Sequence, residues 1–229
     1  MPVVPRMVRR STNLIDLAIR NRPSVIAYHL SAAKSLNTAY TAPTTFLTVR
    51  SGDVFSSPTV RRNKLFQTEG SNLGLTRIWL DIDDYASASI PGDGDVLFLT
   101  VAEETGAGVL NRGPVLVIPP PDFFETGRRN LVLVGTAPEL ASRGNNLPPQ
   151  DGMRVFFPKF ADELQVYNEN AAGGDDLYFS LGLGLNELRV PAADWRGFSE
   201  AGANEIILRG NNGAVPFSLT AAIVNGIQA

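Results

Sequence analysis

Short apolar runs of strand length recur along most of the chain, and they constrain its fold more than any other feature. The runs are four to eight residues long, contain many β-branched and aromatic residues, and are separated by clusters of Gly, Pro, Asn and Asp. This punctuation predicts an all-β protein. The candidate strands lie at 45–50, 53–56, 59–66, 76–82, 95–102, 114–118, 130–135, 153–157, 163–168, 176–183, 187–190, 204–209 and 215–224.

The composition supports a turn-rich globular chain and removes several classes of chemistry. Apolar residues make up 44% of the 229 residues, and 21 Gly and 16 Pro supply many turns. Cysteine is absent, which excludes disulfides, iron–sulfur clusters and thiol catalysis. His29 is the single histidine, so a metal site built from several histidines is excluded as well. We therefore expect no catalytic residue, no cofactor and no metal ion.

The order of these signals predicts three segments. Residues 1–40 form a basic N-terminal arm with a short helix at 13–20 and a first strand at 25–30. Residues 41–140 form a first β-sandwich and residues 141–229 a second one, both jelly-roll-like. The stretch 138–152 has the Pro, Gly and Asn content of a linker or long loop.

The two halves of the β region resemble each other, which predicts an internal duplication. The clearest match aligns 116–123 (LVIPPPDF) with 188–195 (LRVPAADW). In both segments a strand ends at Pro, and Asp followed by an aromatic residue comes shortly afterwards. Three further matches keep the same order: 77–80 with 154–157, 95–98 with 176–179, and 131–135 with 206–210. The alternative is that apolar strands look alike in any β protein.

Charge is distributed unevenly along the chain. Residues 1–64 contain ten Lys/Arg and two Asp/Glu, a net charge of +8, whereas residues 65–229 contain ten Lys/Arg and 21 Asp/Glu, a net charge of −11. This split predicts an association with an acidic neighbour; the alternative is that the basic segment folds back onto its own acidic body. Nucleic acid is disfavoured because the basic residues are not interleaved with aromatic ones. The predicted partner-binding residues are Arg6, Arg9, Arg10, Arg20 and Arg22.

Few residues suggest chemistry. His29 lies in an apolar run without a nucleophile elbow nearby, so we interpret it as structural. The acidic clusters 81–84 and 93–95 supply alternating carboxylates that a calcium ion can use, but their Gly and Pro neighbours are first of all turn signals.

Three aromatic residues follow the Pro-containing strand ends, namely Phe123, Phe124 and Trp195. We expect them to cover the end of the sandwich as core. The alternative is an exposed aromatic ledge for a partner or a sugar.

No targeting or membrane signal is expected. The first residues are basic but lack a following apolar stretch of signal-peptide type. No apolar run approaches the ~20 residues that a spanning helix needs.

Several segments together resemble the small β-rich structural proteins in the virions of tailed bacteriophages. They are 27–40 (AYHLSAAKSLNTAY), 44–46 (TTF), 55–60 (FSSPTV), 74–77 (GLTR), 83–85 (DDY), 154–157 (RVFF) and 218–223 (SLTAAI). The resemblance extends over most of the chain but is one of style, without a diagnostic motif and without catalytic residues to carry over.

The resemblance implies a non-enzymatic virion protein, made in the host cytoplasm. It is expected to be a decoration or cement protein that stabilises a phage head through multivalent contacts. Its partners would be the major capsid protein or neighbouring copies of itself in a homo-oligomer, with no nucleic acid and no membrane. The alternatives are a neck, tail or baseplate accessory protein and a carbohydrate-binding β-sandwich module.

Overall fold

The all-β prediction is confirmed. A computed structural model describes residues 6–9, 14–20, 22, 24–50, 65–67, 75–81, 96–108, 110–119, 129–139, 152–182 and 187–223. These residues form fifteen strands and one short helix. No helix in these ranges is long and apolar enough to cross a membrane.

The chain divides into two compact units, Met1–Asp122 and Phe123–Ala229. The sequence predicts the boundary between the two β-sandwiches after residue 140, whereas the boundary between the two units of the structure follows Asp122. The strand expected at 130–135 accordingly lies in the second unit, where it pairs with the last strand of the chain. The proposed linker at 138–152 is described only at its two ends.

The described residues of the first unit form nine strands and the helix. They are β1 (Arg6–Arg9), β2 (Leu14–Arg20), β3 (Val25–Ala33), α1 (Leu36–Thr41), β4 (Thr44–Arg50), β5 (Leu65–Gln67), β6 (Leu75–Asp81), β7 (Leu97–Thr105), β8 (Leu110–Arg112) and β9 (Val115–Ile118). One antiparallel sheet has the order β1-β2-β6-β5. A second runs β9-β7-β3-β4, with β8 also paired to β7.

The described residues of the second unit form six strands in one antiparallel sheet. They are β10 (Arg129–Ala137), β11 (Met153–Asn168), β12 (Leu177–Ser180), β13 (Leu188–Val190), β14 (Trp195–Gly210) and β15 (Val215–Ile223). Their order is β13-β12-β14-β11-β15-β10. Strand β11 is one continuous strand over the two strands predicted at 153–157 and 163–168. Its register against β14 shifts between Phe156 and Ala161 and again before Glu163.

The predicted helix at 13–20 is wrong, because this segment forms strand β2. Its apolar residues satisfy a helical period and a two-residue period equally well. Leu17 and Ile19 are completely buried at alternate positions. The strand pairs with β6 from Leu14 to Arg20 and with β1 on its other edge. These ladders supply the backbone hydrogen bonds that an isolated helix would otherwise make.

The sequence missed the helix α1. Its first turn is capped by Ser35, whose Oγ accepts a hydrogen bond from the Thr38 backbone N–H at 3.2 Å. Leu36 and Ala39 are buried on its inner side. The helix stops just before Pro43, which cannot donate a backbone hydrogen bond.

The proposed duplication is not confirmed. One part of it has a partial structural counterpart, because β7 pairs with β9 and β12 pairs with β13, both antiparallel. Their registers differ by one residue under the proposed alignment, since Leu97 pairs with Ile118 whereas the aligned Tyr178 pairs with Arg189. The other correspondences fall on strands with different neighbours. Strand β10 pairs with β15, whereas β14 pairs with β11 and β12. Strand β6 lies between β2 and β5, whereas β11 lies between β14 and β15.

Candidate interaction face

The second unit exposes one face of its four strands β14, β11, β15 and β10, which we call the interaction face. Residues at one register position across antiparallel strands share a face of the sheet. One row therefore runs Trp195, Tyr167, Ser218 and Val134, and the next runs Gly197, Gln165, Thr220 and Val132. All eight are exposed or half-buried.

The opposite face of β11, β15 and β10 forms core. Val166, Leu219 and Leu133 lie in one row between the two exposed rows, and all three are buried. Leu164, Ala221 and Leu131 are also buried at matching positions. This alternation is typical of an antiparallel sheet that packs on one side only. It leaves the side chains of the interaction face available for contact.

Trp195 lies on this face with 54% of its surface exposed. The prediction that it is a core residue is therefore wrong. Its ring lies against Gly197, where an added β-carbon would be 2.7 Å from Cζ3 of the indole. The other two residues of that prediction, Phe123 and Phe124, lie outside the described part of the chain.

A tight turn at 191–194 presents Trp195. The Asp194 backbone N–H donates to the Pro191 carbonyl at 3.2 Å, and the Trp195 backbone N–H donates to Asp194 Oδ1 at 2.8 Å. Ala193 has a φ of 57°, in the left-handed region that L-residues with a side chain rarely adopt. The turn formed by the Pro–Ala–Ala–Asp sequence therefore fixes the position of Trp195, the first residue of β14.

The buried residue Asn168 holds this turn in place through hydrogen bonds. The residue is completely buried at the end of β11. Its backbone N–H donates to the Asp194 carbonyl at 3.0 Å, and its side-chain Nδ2 donates to the carbonyls of Val190 at 3.0 Å and Asp175 at 2.9 Å. Its Oδ1 accepts from the Asn170 N–H at 3.1 Å. The backbone and side chain of Asn168 together hold the turn, the end of β13 and the loop before β12. They thereby support the end of the interaction face that carries Trp195 and Tyr167, which we call its aromatic end.

The other end of the face is aliphatic. Val132 and Val134 of β10 are 62% and 69% exposed, the largest values among the large apolar residues of the described part. Among the strands that the structure describes, β10 ends the order of this sheet, and it is paired with β15 along all nine of its residues. Between 130 and 137 it carries no charge and no proline, the residues that usually protect an edge strand from pairing.

Arg22 is the predicted partner-binding residue whose side chain the structure places. Its Nη1 lies 3.2 Å from Oε2 of Glu103, which is only 2% exposed. Burial raises the pKa of Glu103, and the positive charge of Arg22 opposes that rise. Burial, followed by the negative charge of Glu103, raises the pKa of the neighbouring Tyr28. Arg22 is therefore engaged within its own unit.

The other predicted arginines are placed by backbone only. Arg6 and Arg9 lie on β1 opposite Ala18 and Ile15, and Arg20 ends β2 opposite Leu75. Arg10 lies outside the described residues. Residues 6–9 are thus part of a sheet, where the sequence predicted an extended arm.

Most of the charge split lies within the first unit. Met1–Asp122 holds twelve Lys/Arg and eleven Asp/Glu, a net charge of +1, and Phe123–Ala229 holds eight and twelve, a net charge of −4. Residues 65–122 contain two Lys/Arg and nine Asp/Glu, a net charge of −7 beside the +8 of residues 1–64. Strands β2 and β3 of residues 1–64 pair with β6 and β7 of residues 65–122, although β2 and β3 have no net charge themselves. The ion pair between Arg22 and Glu103 joins the basic and acidic segments and supports the fold-back alternative.

His29 joins three neighbouring strands. Its Nδ1 lies 3.0 Å from Thr48 Oγ1 on β4, and its Nε2 lies 2.8 Å from Glu104 Oε2 on β7. Both ring nitrogens are therefore used within the sheet, which supports the structural interpretation of this residue.

Of the acidic clusters 81–84 and 93–95, the structure describes only Asp81, the last residue of β6. The remaining residues of both clusters lie outside the described part of the chain. Within the described part, no group of three or more acidic or histidine side chains is arranged to hold a metal ion. Neither the interpretation of these clusters as turns nor the calcium alternative is therefore tested.

Two ion pairs of the second unit were not predicted. Arg154 Nε donates to Glu205 Oε1 at 2.6 Å, and both side chains are buried between β11 and β14. Arg209 binds Glu187 through two nitrogens, with Nε 2.6 Å from Oε1, and its Cζ lies 4.5 Å from the centre of the Tyr178 ring. The partners are 51 and 22 residues apart, so only the register brings them together.

A scan against protein-family models, a search of curated proteins and a search of solved structures each found no match to this chain. Function is therefore inferred from the chain's own residues.

Proposed function

We propose that this chain is a non-enzymatic structural protein of a tailed-phage particle, and specifically a decoration or cement protein of the head. The observation that carries the proposal is the interaction face, which ends in two exposed valines on β10, the last strand in the order of the described sheet. The resemblance of several sequence segments to such virion proteins supplies the context.

Exposed valines favour a docking role over a purely solvated surface. The solvated face of an antiparallel sheet is usually polar, and Val132 and Val134 interrupt that pattern beside Thr220 and Ser218. Full burial of a valine side chain contributes roughly 1.5–3 kcal/mol. One copy would therefore bind weakly, and a particle with many copies would sum these contacts through multivalency.

The occupant that fits strand β10 is the same strand of a neighbouring copy. A two-fold antiparallel pairing centred on Leu133 would place Val132 of one copy opposite Val134 of the other. Such an isologous contact is self-complementary and meets no like charge between 130 and 137. This arrangement supports the expected homo-oligomer, and the assembled unit would then bind the major capsid protein at many sites.

Paired substitutions test this contact. The V132T/V134T variant keeps β-branching and strand propensity but replaces a methyl group with a hydroxyl at each position. We expect wild type to self-associate and the variant to do so at least about tenfold more weakly, measured by light scattering over a concentration series. Leu110→Thr, at an exposed residue of β8 in the first unit, is the matched control. A wild type that stays monomeric throughout would overturn the pairing.

The neck, tail or baseplate role remains the alternative within the same particle. Copy number separates the two, because decoration requires hundreds of copies whereas a ring requires six or twelve. Deleting residues 1–12 is a poor test of either role, since it removes strand β1 from its sheet. Charge reversal at Arg6 and Arg9 leaves the backbone of that strand in place and is the better test of the predicted arginine contacts.

A further inference from the structure

We propose that the aromatic end of the interaction face binds a carbohydrate, namely a β-1,4-linked pyranoside chain, through Trp195, Tyr167 and Gln165. This inference does not depend on the proposed virion role. It rests on how Trp195 is held, on which residues surround it and on the register that places Tyr167 opposite it.

The indole is held in an exposed position by its surroundings. The ring lies against Gly197, where any β-carbon would collide with it. The turn at 191–194, fixed by the buried Asn168, sets the start of the strand. A tryptophan that served only as core would not require this support on a solvent-facing surface. Its exposure is therefore a built feature of the fold.

The residues around the indole suit a sugar better than an apolar partner. A pyranose ring has one face of weakly electropositive C–H groups, and an aromatic face is electron-rich, so the two attract each other when stacked. The hydroxyl groups at the rim of the sugar then need hydrogen-bond partners. Gln165 is exposed beside Gly197 and can both donate and accept, and Thr220 lies next to it on β15.

Tyr167 extends the platform by one strand. It lies directly opposite Trp195 in the register and is itself exposed. Side chains at such opposite positions start about 5 Å apart, so the two aromatic residues stand side by side. Two aromatic side chains that start about 5 Å apart on neighbouring strands can each contact one sugar unit of a flat, ribbon-like chain. They do not match the curved chain that α-1,4 linkages produce.

The test is a titration followed by nuclear magnetic resonance. The chain contains two tryptophans, so it gives two indole N–H signals, and the variant Trp195→Phe assigns them. The probes are cellotetraose and chitotetraose, with maltotetraose as the α-linked comparison. We expect the Trp195 signal to shift and saturate with at least one β-linked probe at a dissociation constant of about 1 mM or below.

Substitutions distinguish specific binding at the Trp195 site from nonspecific binding to exposed aromatic residues. Trp195→Ala should weaken binding by about tenfold or more, and Trp195→Tyr should retain part of it, because a ring remains. Tyr167→Ala should weaken binding severalfold. Phe160→Ala is the matched control, since Phe160 is an exposed aromatic of β11 away from the two rows of the face, and binding should be unchanged.

Three results would overturn the inference. One is the absence of any shift of the Trp195 signal with both β-linked probes at about 10 mM, in a protein whose spectrum shows that it is folded. Another is equal binding of maltotetraose, which would exclude the flat-chain preference. The last is equal loss of binding in Phe160→Ala and Trp195→Ala.

Discussion

Trp195 and Gly197 are two residues apart on β14, and the ring of the first occupies the space that a side chain of the second would need. A β-carbon at Gly197 would lie 2.7 Å from the indole Cζ3 and 3.4 Å from Gln165 Cγ. Because glycine has no side chain at position 197, the indole of Trp195 can occupy this space, and the position of the ring depends on that glycine. Substituting the glycine should disturb the face without touching the core beneath it.

Gly197→Ala is expected to displace the indole while leaving the fold intact. The ring is on an exposed surface and can rotate away, so the loss in unfolding free energy should stay below about 1 kcal/mol. The Trp195 indole N–H signal should move, and binding of the β-linked tetrasaccharides should weaken. Gly106→Ala, at a position with open space around its Cα, is the control. Unchanged indole signal and unchanged binding would contradict the role assigned to Gly197.

Ala193→Gly should stabilise the protein. Ala193 has a positive φ of 57°, which costs an alanine roughly 1–2 kcal/mol and a glycine little. Part of that gain is offset by the greater freedom of glycine in the unfolded chain, so we expect about 0.5–1 kcal/mol in chemical denaturation. Ala192→Gly, at the preceding residue without a positive φ, should be neutral or destabilising. The opposite order of the two variants would show that the turn is not under backbone strain.

Arg154 and Glu205 should behave as a coupled pair. Both side chains are buried, so removing one partner leaves the other charge without its counterion. Arg154→Met or Glu205→Leu alone should cost about 3–5 kcal/mol, whereas the double variant should recover most of that loss. A double-mutant cycle by denaturant unfolding measures the coupling. Additive losses would show that the pair is not energetically linked.

The sequence was informative wherever one residue pattern could satisfy only one structure. Strands such as β3, β9 and β15 were predicted because their apolar residues and flanking turn residues allow little else. Strand β2 was not, because Leu17 and Ile19 fit either a helix or a strand until β1 and β6 provide hydrogen bonds. The ring position of Trp195 depends on a turn and a glycine that packing alone reveals. The contact between Arg22 and Glu103 joins residues 81 positions apart, which no local pattern can indicate.

Glu103→Gln should change how stability depends on pH. Burial raises the folded-state pKa of Glu103 above the usual 4.5, so the folded protein holds that proton more tightly than the unfolded chain. The stabilisation from this group is complete below about pH 4.5 and is lost as the pH rises through the raised folded pKa. The glutamine stays neutral, so its advantage over wild type should grow with pH across that range.

Urea unfolding at several pH values measures this advantage. Glu169→Gln, which replaces an exposed glutamate, is the matched comparison. A difference between Glu103→Gln and wild type that stays constant from about pH 4 to about pH 7 would contradict the assignment.

The number of copies in purified particles tests the central claim most directly. Tailed particles would be purified from a lysate of a strain that encodes this chain, and the protein would be quantified by mass spectrometry against the major capsid protein. A decoration role predicts hundreds of copies per particle, and a reduced number when V132T/V134T replaces the wild type. Absence of the chain from intact particles would contradict the proposed function, and six or twelve copies would move the protein from the head surface to a ring.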